Sequence, residues 1–544
     1  MLAYLTAAAT NLINSESPRT SKIFLTGLLV LVLVTAGFLV KMGATVWLSF
    51  PWDAPIMLDG GWRIVNGQIP HVDFFTPLGP VIFLVVGLGM RLGGACVSSI
   101  TYANALFLVV FSIWAWTMAR TRMSAALSFV FSLYVGFMVA ATSNYGYDFK
   151  HLGYGAFYNR YGVALTALIL IESLGRSRKQ FRTRSWVLQG VSTGIALALT
   201  CFLKISFFGV ALMVLMAGAI LMPQNRFRWF GLCAGAVAVS FLMLAYLRFD
   251  IAALYNSMAM AGRLRVVGFV RSAFGMATEP QVFNSTFLMV SLWCIAPSAE
   301  GYYRSWLPPK VGLGMFVLFL IFVQAVLSLT NAQPPLATLF PVGSLLVLET
   351  ARRAIDQQEA ADPSTLIHNS AGWMATLLLA FYFVASILLP NMESLPYSVF
   401  IRYAEARKST PDGKFTARPM ADMLAPRHSE YVRIVNDGCE LLRSHSKPSD
   451  RIVTLDLSNP FSFALQRPPP TGDALWWDQM TFSASVHLDP ERVFEHAAIV
   501  MVPKAPIIEK SQRQLMDVDS SFLDAHYTLV AESTFWKLYR RRSN

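Results

Sequence analysis

Apolar runs of about 20 residues, separated by short basic turns, fill the first 390 positions of this 544-residue chain. A bilayer core is ~30 Å thick, asks for about 20 mostly apolar helical residues per crossing, and offers backbone groups no water. The pattern therefore predicts an α-helical polytopic membrane protein of about 11–13 spans. Ile23 to Leu48 reads as an uncleaved first span, because the residues before it lack the basic start, apolar core and small-residue site of a signal peptide. Further runs fall at Ile100 to Ala119, Ala125 to Thr142 and Val163 to Leu174. Val187 to Met222 is too long for one span and carries Lys204 in its middle, which predicts two helices turning near Lys204. Spans are also expected at Phe230 to Leu247, Thr286 to Ala296, Val311 to Leu329, Leu336 to Leu348 and Trp373 to Leu389.

Placing the basic turns inside by the positive-inside rule puts the loops near Tyr147, Lys204, Arg263 and Asn331 on the outer face. Everything after Pro390 joins them. Leu78 to Gly94 breaks this parity if it crosses. Either it is re-entrant or interfacial, or a neighbouring pair is misread. From about Ile401 the pattern changes to that of a small α/β domain: helical periodicity over Glu430 to Ser444, then strands at Arg451 to Leu457, Ala497 to Val502 and Tyr527 to Tyr539. The expected division is a transmembrane domain over 1–390, with its catalytic first outer loop at 50–80, and a periplasmic α/β domain over 391–544. The expected location is the cell inner membrane, multi-pass.

Composition agrees with this pattern and removes some functions. Hydrophobic residues make up 55% and charged residues 14% of the chain, against about a quarter charged in soluble domains. The net charge of +12 would suggest nucleic acid in a soluble protein, but here the basic residues sit in turns such as Arg176 to Trp186, where topology accounts for them. No nucleic-acid partner is expected. Five scattered cysteines imply neither a disulfide framework nor a zinc site. Phosphate-binding glycine loops, paired-histidine zinc helices and serine nucleophile elbows are missing as motifs.

Two polar, aromatic islands interrupt the apolar runs. The first, Phe50 to Pro80, holds Asp53, Asp59 and Asp73 with Arg63 and His71 among prolines and glycines. A carboxylate in a partly desolvated pocket is what proton removal from an acceptor hydroxyl requires, although an Asp also caps helices. Asp59 is the preferred base, with Asp53 beside it, because Gly60-Gly61 permits close approach and Trp62 offers a face for a sugar ring. Asp73, before Phe74-Phe75, suits a turn residue better than a base. The second island, Ser143 to Gly162, carries Asp148, Lys150, His151 and Arg160, suited to sugar or phosphate or, for the basic residues, to snorkelling. Lys204, set among apolar residues, is a functional candidate by default. Arg263, Arg265 and Arg271 suit an anionic headgroup or the bilayer surface.

The first span, the acidic loop with Asp53 and Asp59, and the stretch GWRIVNGQIPHVDFFTPLGP together resemble integral-membrane glycosyltransferases of the C-type fold. That group includes the protein O-mannosyltransferases and the lipid A aminoarabinose transferase. Asp59, Trp62, Gly67, Pro70 and Pro77 to Pro80 follow its order, and the run broken by Lys204 and the outer α/β domain are similar to its features. Many members carry two adjacent acidic residues, whereas here Asp59 is followed by glycine. The resemblance implies inverting transfer of a monosaccharide from a polyprenyl-phosphate-linked donor to a lipid, glycan or protein acceptor, on the outer face of the cytoplasmic membrane. It implies an aspartate base, basic residues on the donor phosphate, contact with membrane lipids, and neither cofactor nor metal for the chemistry. A transporter or flippase of lipid-linked sugars would use the same basic and aromatic residues without chemistry, and a non-catalytic envelope subunit would leave the loop incidental.

Overall fold

The computed structural model describes residues 17–177, 183–223, 225–265, 279–331, 337–361, 366–407, 414–478, 481–483 and 485–542. The chain is mostly helical. Helices α1 (Pro18–Met42), α2 (Asp53–Val65), α3 (Pro80–Gly93), α4 (Ser99–Ala119), α5 (Ala125–Ala140) and α6 (Tyr158–Leu174) come first. They are followed by α7 (Thr183–Cys201), α8 (Ile205–Leu221), α9 (Arg226–Tyr246), α10 (Ile251–Arg265), α11 (Pro280–Ile295), α12 (Pro309–Asn331), α13 (Phe340–Ala361) and α14 (Leu366–Arg407). By length and composition, five of the described helices can cross a membrane, within α1, α4, α9, α12 and α14, while α3, α5 and α8 are shorter apolar helices.

The apolar run over 187–222 is indeed two helices, broken at Lys204, whose extended backbone (φ −165°, ψ 126°) forms the N-cap of α8. Helix α14 continues to Arg407 through Pro390 and Pro396. Small residues let α7 and α9 touch backbone to backbone: a Cβ on Gly190 would stand 2.0 Å from the Arg228 carbonyl, and one on Gly194 2.1 Å from that of Leu232. Such approaches are how helices pack where no water drives them together.

The two ends of the bundle differ. At one end, ion pairs gather: Arg122 joins Glu172 of α6 at 2.7 Å, and within α13 Arg352 and Arg353 pair with Glu349 at 3.0 and 2.9 Å. Arg353 also donates to the Arg122 and Arg176 carbonyls, both at 2.9 Å. At the other end sits the C-terminal α/β unit: α15 (Ser429–His445), β1 (Ile452–Thr454), α16 (Phe461–Ala464), α17 (Pro490–Phe494), β2 (Ile499–Pro503), α18 (Glu509–His526), β3 (Tyr527–Glu532) and β4 (Trp536–Arg541). Its four-stranded sheet has the order β1-β2-β4-β3. β1 and β2 run parallel, and β4 is antiparallel to both β2 and β3. The single strand expected over Tyr527 to Tyr539 is thus the β3–β4 hairpin.

Both ends of α3 lie at the end of the bundle that bears this unit. At its start, Gly79 and Val81 N–H donate to the Leu203 and Phe202 carbonyls at 3.0 and 3.1 Å, and just beyond its end Val97 N–H donates to the Pro419 carbonyl at 2.9 Å. Helix α3 therefore begins and ends at the same end of the bundle.

Candidate functional site

The site is built around α2. Pro51 and Pro55 are compatible with a helix start, where missing N–H groups cost nothing, and Asp53 stands in the first turn. One flank of α2 lies on α3, with Gly60 and Gly61 facing the Phe83 and Val86 side chains. Those glycines serve helix packing rather than approach of a substrate. The other flank is strapped by residues 467–475 of the C-terminal unit. Trp62 Nε1 donates to the Arg467 carbonyl at 2.8 Å. Phe75 N–H donates to the Asp473 carbonyl at 2.8 Å, and Leu475 N–H to that of Phe75 at 3.0 Å.

Asp59 and Arg63 close this contact from inside. Arg63 Nε donates to Asp59 Oδ2 at 2.8 Å, while its two terminal nitrogens fork onto Asp473 at 2.7 and 2.8 Å. It also donates to the Pro470 carbonyl at 3.0 Å and lies 5.0 Å from the Phe74 ring centroid. Arg63 is 0% and Asp59 1% exposed, so both are inside the protein. Burial raises the Asp59 carboxyl to about 6 against the opposing pull of Arg63. His71 is buried with both ring nitrogens unpartnered among the described residues, and burial lowers it to about 4, so it is neutral at pH 7. Asp73 Oδ2 accepts the Ile69 N–H at 2.7 Å, as a turn residue does.

Asp53 is different. Its half-buried side chain has no hydrogen bond or ion pair among the described residues. Four segments meet there: the loop before α2, the second island, α15, and the turn at Asp478. Burial first, then the like charge of Asp478, raises its carboxyl to about 7. Asp53 Oδ2 lies 3.0 Å from where a Cβ on Gly155 would be, and Gly155 N–H is fixed by Asn144 Oδ1 at 2.7 Å. Aromatic rings wall the position: Phe50 to Trp52 at 6.0 Å, Phe50 to Tyr147 at 5.6 Å, Trp52 to His428 at 5.7 Å and Trp52 to Tyr431 at 6.3 Å between centroids. Phe50 (φ 51°) and Ala156 (φ 50°), both non-glycine residues in the left-handed region, stand on either side of it. Strain of this kind persists where the surroundings enforce it, often at functional sites.

Lys204 lies beyond the same turn. Its Nζ is 3.2 Å from Asn159 Oδ1 and 5.1 Å from the Tyr158 ring centroid, so Asp53 and Lys204 border opposite ends of segment 155–159. Asp148 is exposed and accepts from the Lys150 N–H at 2.9 Å, and it contacts His151 Nδ1 at 2.8 Å. Burial, the largest single effect, pushes its carboxyl up, but the bonds from His151 and Lys150 and the charges of both together hold it below its ordinary range. His151 stacks obliquely on Tyr147 at 5.3 Å, at the edge of the aromatic wall. Lys150 is exposed over Phe149. Arg160 is buried and spends its guanidinium on Asn391 Oδ1, at 2.9 Å, and on the Ser143 carbonyl, at 2.8 Å. Arg263 is exposed on α10. The Arg265 side chain and Arg271 lie outside the described residues.

Reading the sequence missed the partners supplied by the C-terminal unit: His428, Tyr431, Asp456, Asp473 and Asp478. The available signal was Arg467 to Asp478, which repeats the first island's mixture of proline, glycine, tryptophan and aspartate. Among the described residues no group of three His, Cys, Asp or Glu is set to hold a metal ion.

A helical membrane bundle with an α/β unit closed over its first loop is the class that this fold and site define. No family model and no curated protein matches the chain. Among solved structures, it is similar to ArnT from Cupriavidus metallidurans bound to undecaprenyl phosphate, with 12% identity over 94% of this chain and 98% of that one and a TM-score of 0.46. It is also similar to the archaeal oligosaccharyltransferase AglB from Archaeoglobus fulgidus in complex with an inhibitory peptide and a dolichol-phosphate, with 12% identity over 88% of this chain and 69% of that one and a TM-score of 0.36. These neighbours belong to the C-type glycosyltransferase group that the first-loop motif resembles.

Proposed function

We propose that this protein is a membrane glycosyltransferase that moves a sugar from a polyprenyl-phosphate donor to an acceptor hydroxyl, with Asp53 as general base. The observation that carries this reading is the Asp53 carboxylate, unpaired among the described residues, raised to about 7 and walled by aromatic rings, with Lys204 beyond the same turn. A base near the working pH combines a useful ionised fraction with proton affinity. Asp53 takes the acceptor proton as the hydroxyl oxygen attacks the anomeric carbon. The bond from that carbon to the phosphate oxygen breaks with inversion, and its electron pair leaves on the polyprenyl phosphate. Lys204 supports the leaving phosphate by charge. Asp59 acts on the reaction only through Arg63, as a positioning residue.

Eleven helices cross the bilayer in this reading: α1, α4 to α9 and α11 to α14. Helices α2, α3 and α10 stay at the outer interface. The arginines gathered at the opposite end (Arg122, Arg176, Arg228, Arg352 and Arg353) support a cytoplasmic placement of that end, which puts the α/β unit in the periplasm of an inner-membrane protein.

The test is transfer of labelled sugar from a panel of polyprenyl-phosphate sugars in nanodiscs to an envelope lipid extract. Asp53→Asn should fold and bind donor yet transfer nothing. Full transfer by Asp53→Asn sinks the assignment, and donor movement across the bilayer without covalent transfer favours a transporter.

A further inference from the structure

Beside Asp53 the C-terminal unit presents a second buried carboxylate and an unsatisfied hydroxyl. Asp456, 2% exposed, follows β1. Its Oδ1 accepts the N–H groups of Leu457 and Ile507 at 2.8 and 3.1 Å. Its Oδ2 accepts no hydrogen bond among the described residues. Tyr431 on α15 is 6% exposed, and its hydroxyl has no partner among the described residues. The ring is fixed by Trp52 on one side and by Phe415, 6.3 Å between centroids, on another. The Asp456 segment is tied to the same place, since the Ser458 hydroxyl donates to the Trp52 carbonyl at 3.4 Å. Leaving a buried hydroxyl unpaired costs about 1–3 kcal/mol, so Tyr431 marks a position that something else completes.

The charge around it is one-sided. The carboxylates of both Asp456 and Asp53 act on the Tyr431 hydroxyl, and Asp478 acts on Asp53. Among the described residues, no lysine or arginine figures among the charges acting on Asp53 or Asp456. His428, the cationic candidate on the same wall, turns its Nε2 to the Leu48 carbonyl at 3.3 Å. A phosphate or carboxylate brought here meets the carboxylates of Asp53 and Asp456, with no lysine or arginine among the described residues acting on either. A neutral hydroxyl fits: it donates to a carboxylate and accepts from a phenol.

Resting on the transferase reading above, we infer that Tyr431 and Asp456 form the acceptor subsite beside Asp53, and that the acceptor's reacting end is an uncharged polyhydroxyl group such as a sugar ring, not a phosphate. A hydroxyl acceptor also explains why a base stands here, since a phosphate dianion attacks without losing a proton. Here Tyr431 orients the attacking oxygen by one hydrogen bond, and Asp456 receives a neighbouring hydroxyl.

The test uses the full chain in nanodiscs with a short-chain alkyl glycoside and its phosphomonoester as alternative acceptors. Equilibrium binding of each is measured separately from transfer. The expected result is binding and transfer for the neutral glycoside only. Tyr431→Phe should raise its KM and its Kd roughly tenfold, the worth of one buried hydrogen bond, with donor KM unchanged. Asp456→Asn should act in the same direction. Preference for the phosphomonoester, or Tyr431→Phe with an unaltered glycoside Kd, overturns the subsite. If the wild type transfers nothing yet binds the glycoside in a Tyr431-dependent way, the transferase reading fails while the subsite stands. If it binds neither acceptor, the subsite falls.

Discussion

The Asp59–Arg63–Asp473 triad makes a graded prediction about stability. Replacing Arg63 by Met leaves Asp59 and Asp473, with side chains 1% and 3% exposed, buried without a cation. Removing one partner of a buried ion pair costs about 3–5 kcal/mol, so Arg63→Met should be the most damaging of the three. Asp473→Asn keeps one acceptor oxygen but loses half of the forked, charge-assisted contact, for about 1.5–3 kcal/mol. Asp59→Asn retains an acceptor for Arg63 Nε and removes both a buried charge and its repulsion with Asp473, so its cost should be about 1 kcal/mol or less. Adding Asp59→Asn and Asp473→Asn to Arg63→Met should recover part of the loss, because no uncompensated charge remains. The assay is thermal unfolding in one detergent and lipid mixture, followed by intrinsic fluorescence at a fixed scan rate, since irreversible unfolding depends on that rate. The exposed pair Arg513–Glu509, at 2.6 Å, supplies the control, and Arg513→Ala should melt with the wild type. An Arg63→Met protein that also melts with the wild type would refute the reasoning, as would an Asp59→Asn protein with full stability and no transfer.

Two further expectations follow from the same geometry. With Asp53 at about 7, kcat/KM should rise about tenfold between pH 6 and 8 as the base ionises, and Asp478→Asn should move the midpoint down by removing a like charge; a midpoint that stays put or rises counts against the pairing. The sign for stability is opposite: a carboxyl raised from 3.8 to about 7 contributes stability at low pH that is lost as pH rises through that window. Gly79→Ala would set a Cβ 2.0 Å from the Phe202 carbonyl oxygen and should destabilise by about 1–3 kcal/mol while displacing the turn before Lys204. Gly37→Ala, with nothing within 4 Å, should leave the melting temperature unchanged, and equal effects of the two would contradict the packing.

The break at Lys204 was legible because a charge in an apolar run has few other uses, and the α15 helix and the β1 and β2 strands showed through their periodicity. The α3 turnaround was not, since apolar composition gives no direction and only the bonds at both its ends reveal it. The first island was legible as a polar, aromatic cluster, but the surroundings of its individual aspartates were not. Gly60-Gly61 looked like room for a substrate beside Asp59, whereas the room is filled by Phe83 and Val86. What separates Asp53 from Asp59 is an arginine four residues on and an aspartate brought back by the fold, neither of which spacing alone can assign.

Arg63 and Asp473 are 410 positions apart, and that separation is also an interval of time. At about 5–20 residues per second, the first loop waits on the order of 20–80 s after synthesis before its counter-charge exists. Until then the flank of α2 that the 467–475 strap will cover stays open to water, with Arg63 and Asp59 hydrated. A chain cut short before the strap can insert its helices yet keeps that flank bare, so incomplete molecules remain distinguishable from finished ones to any protease that samples the loop.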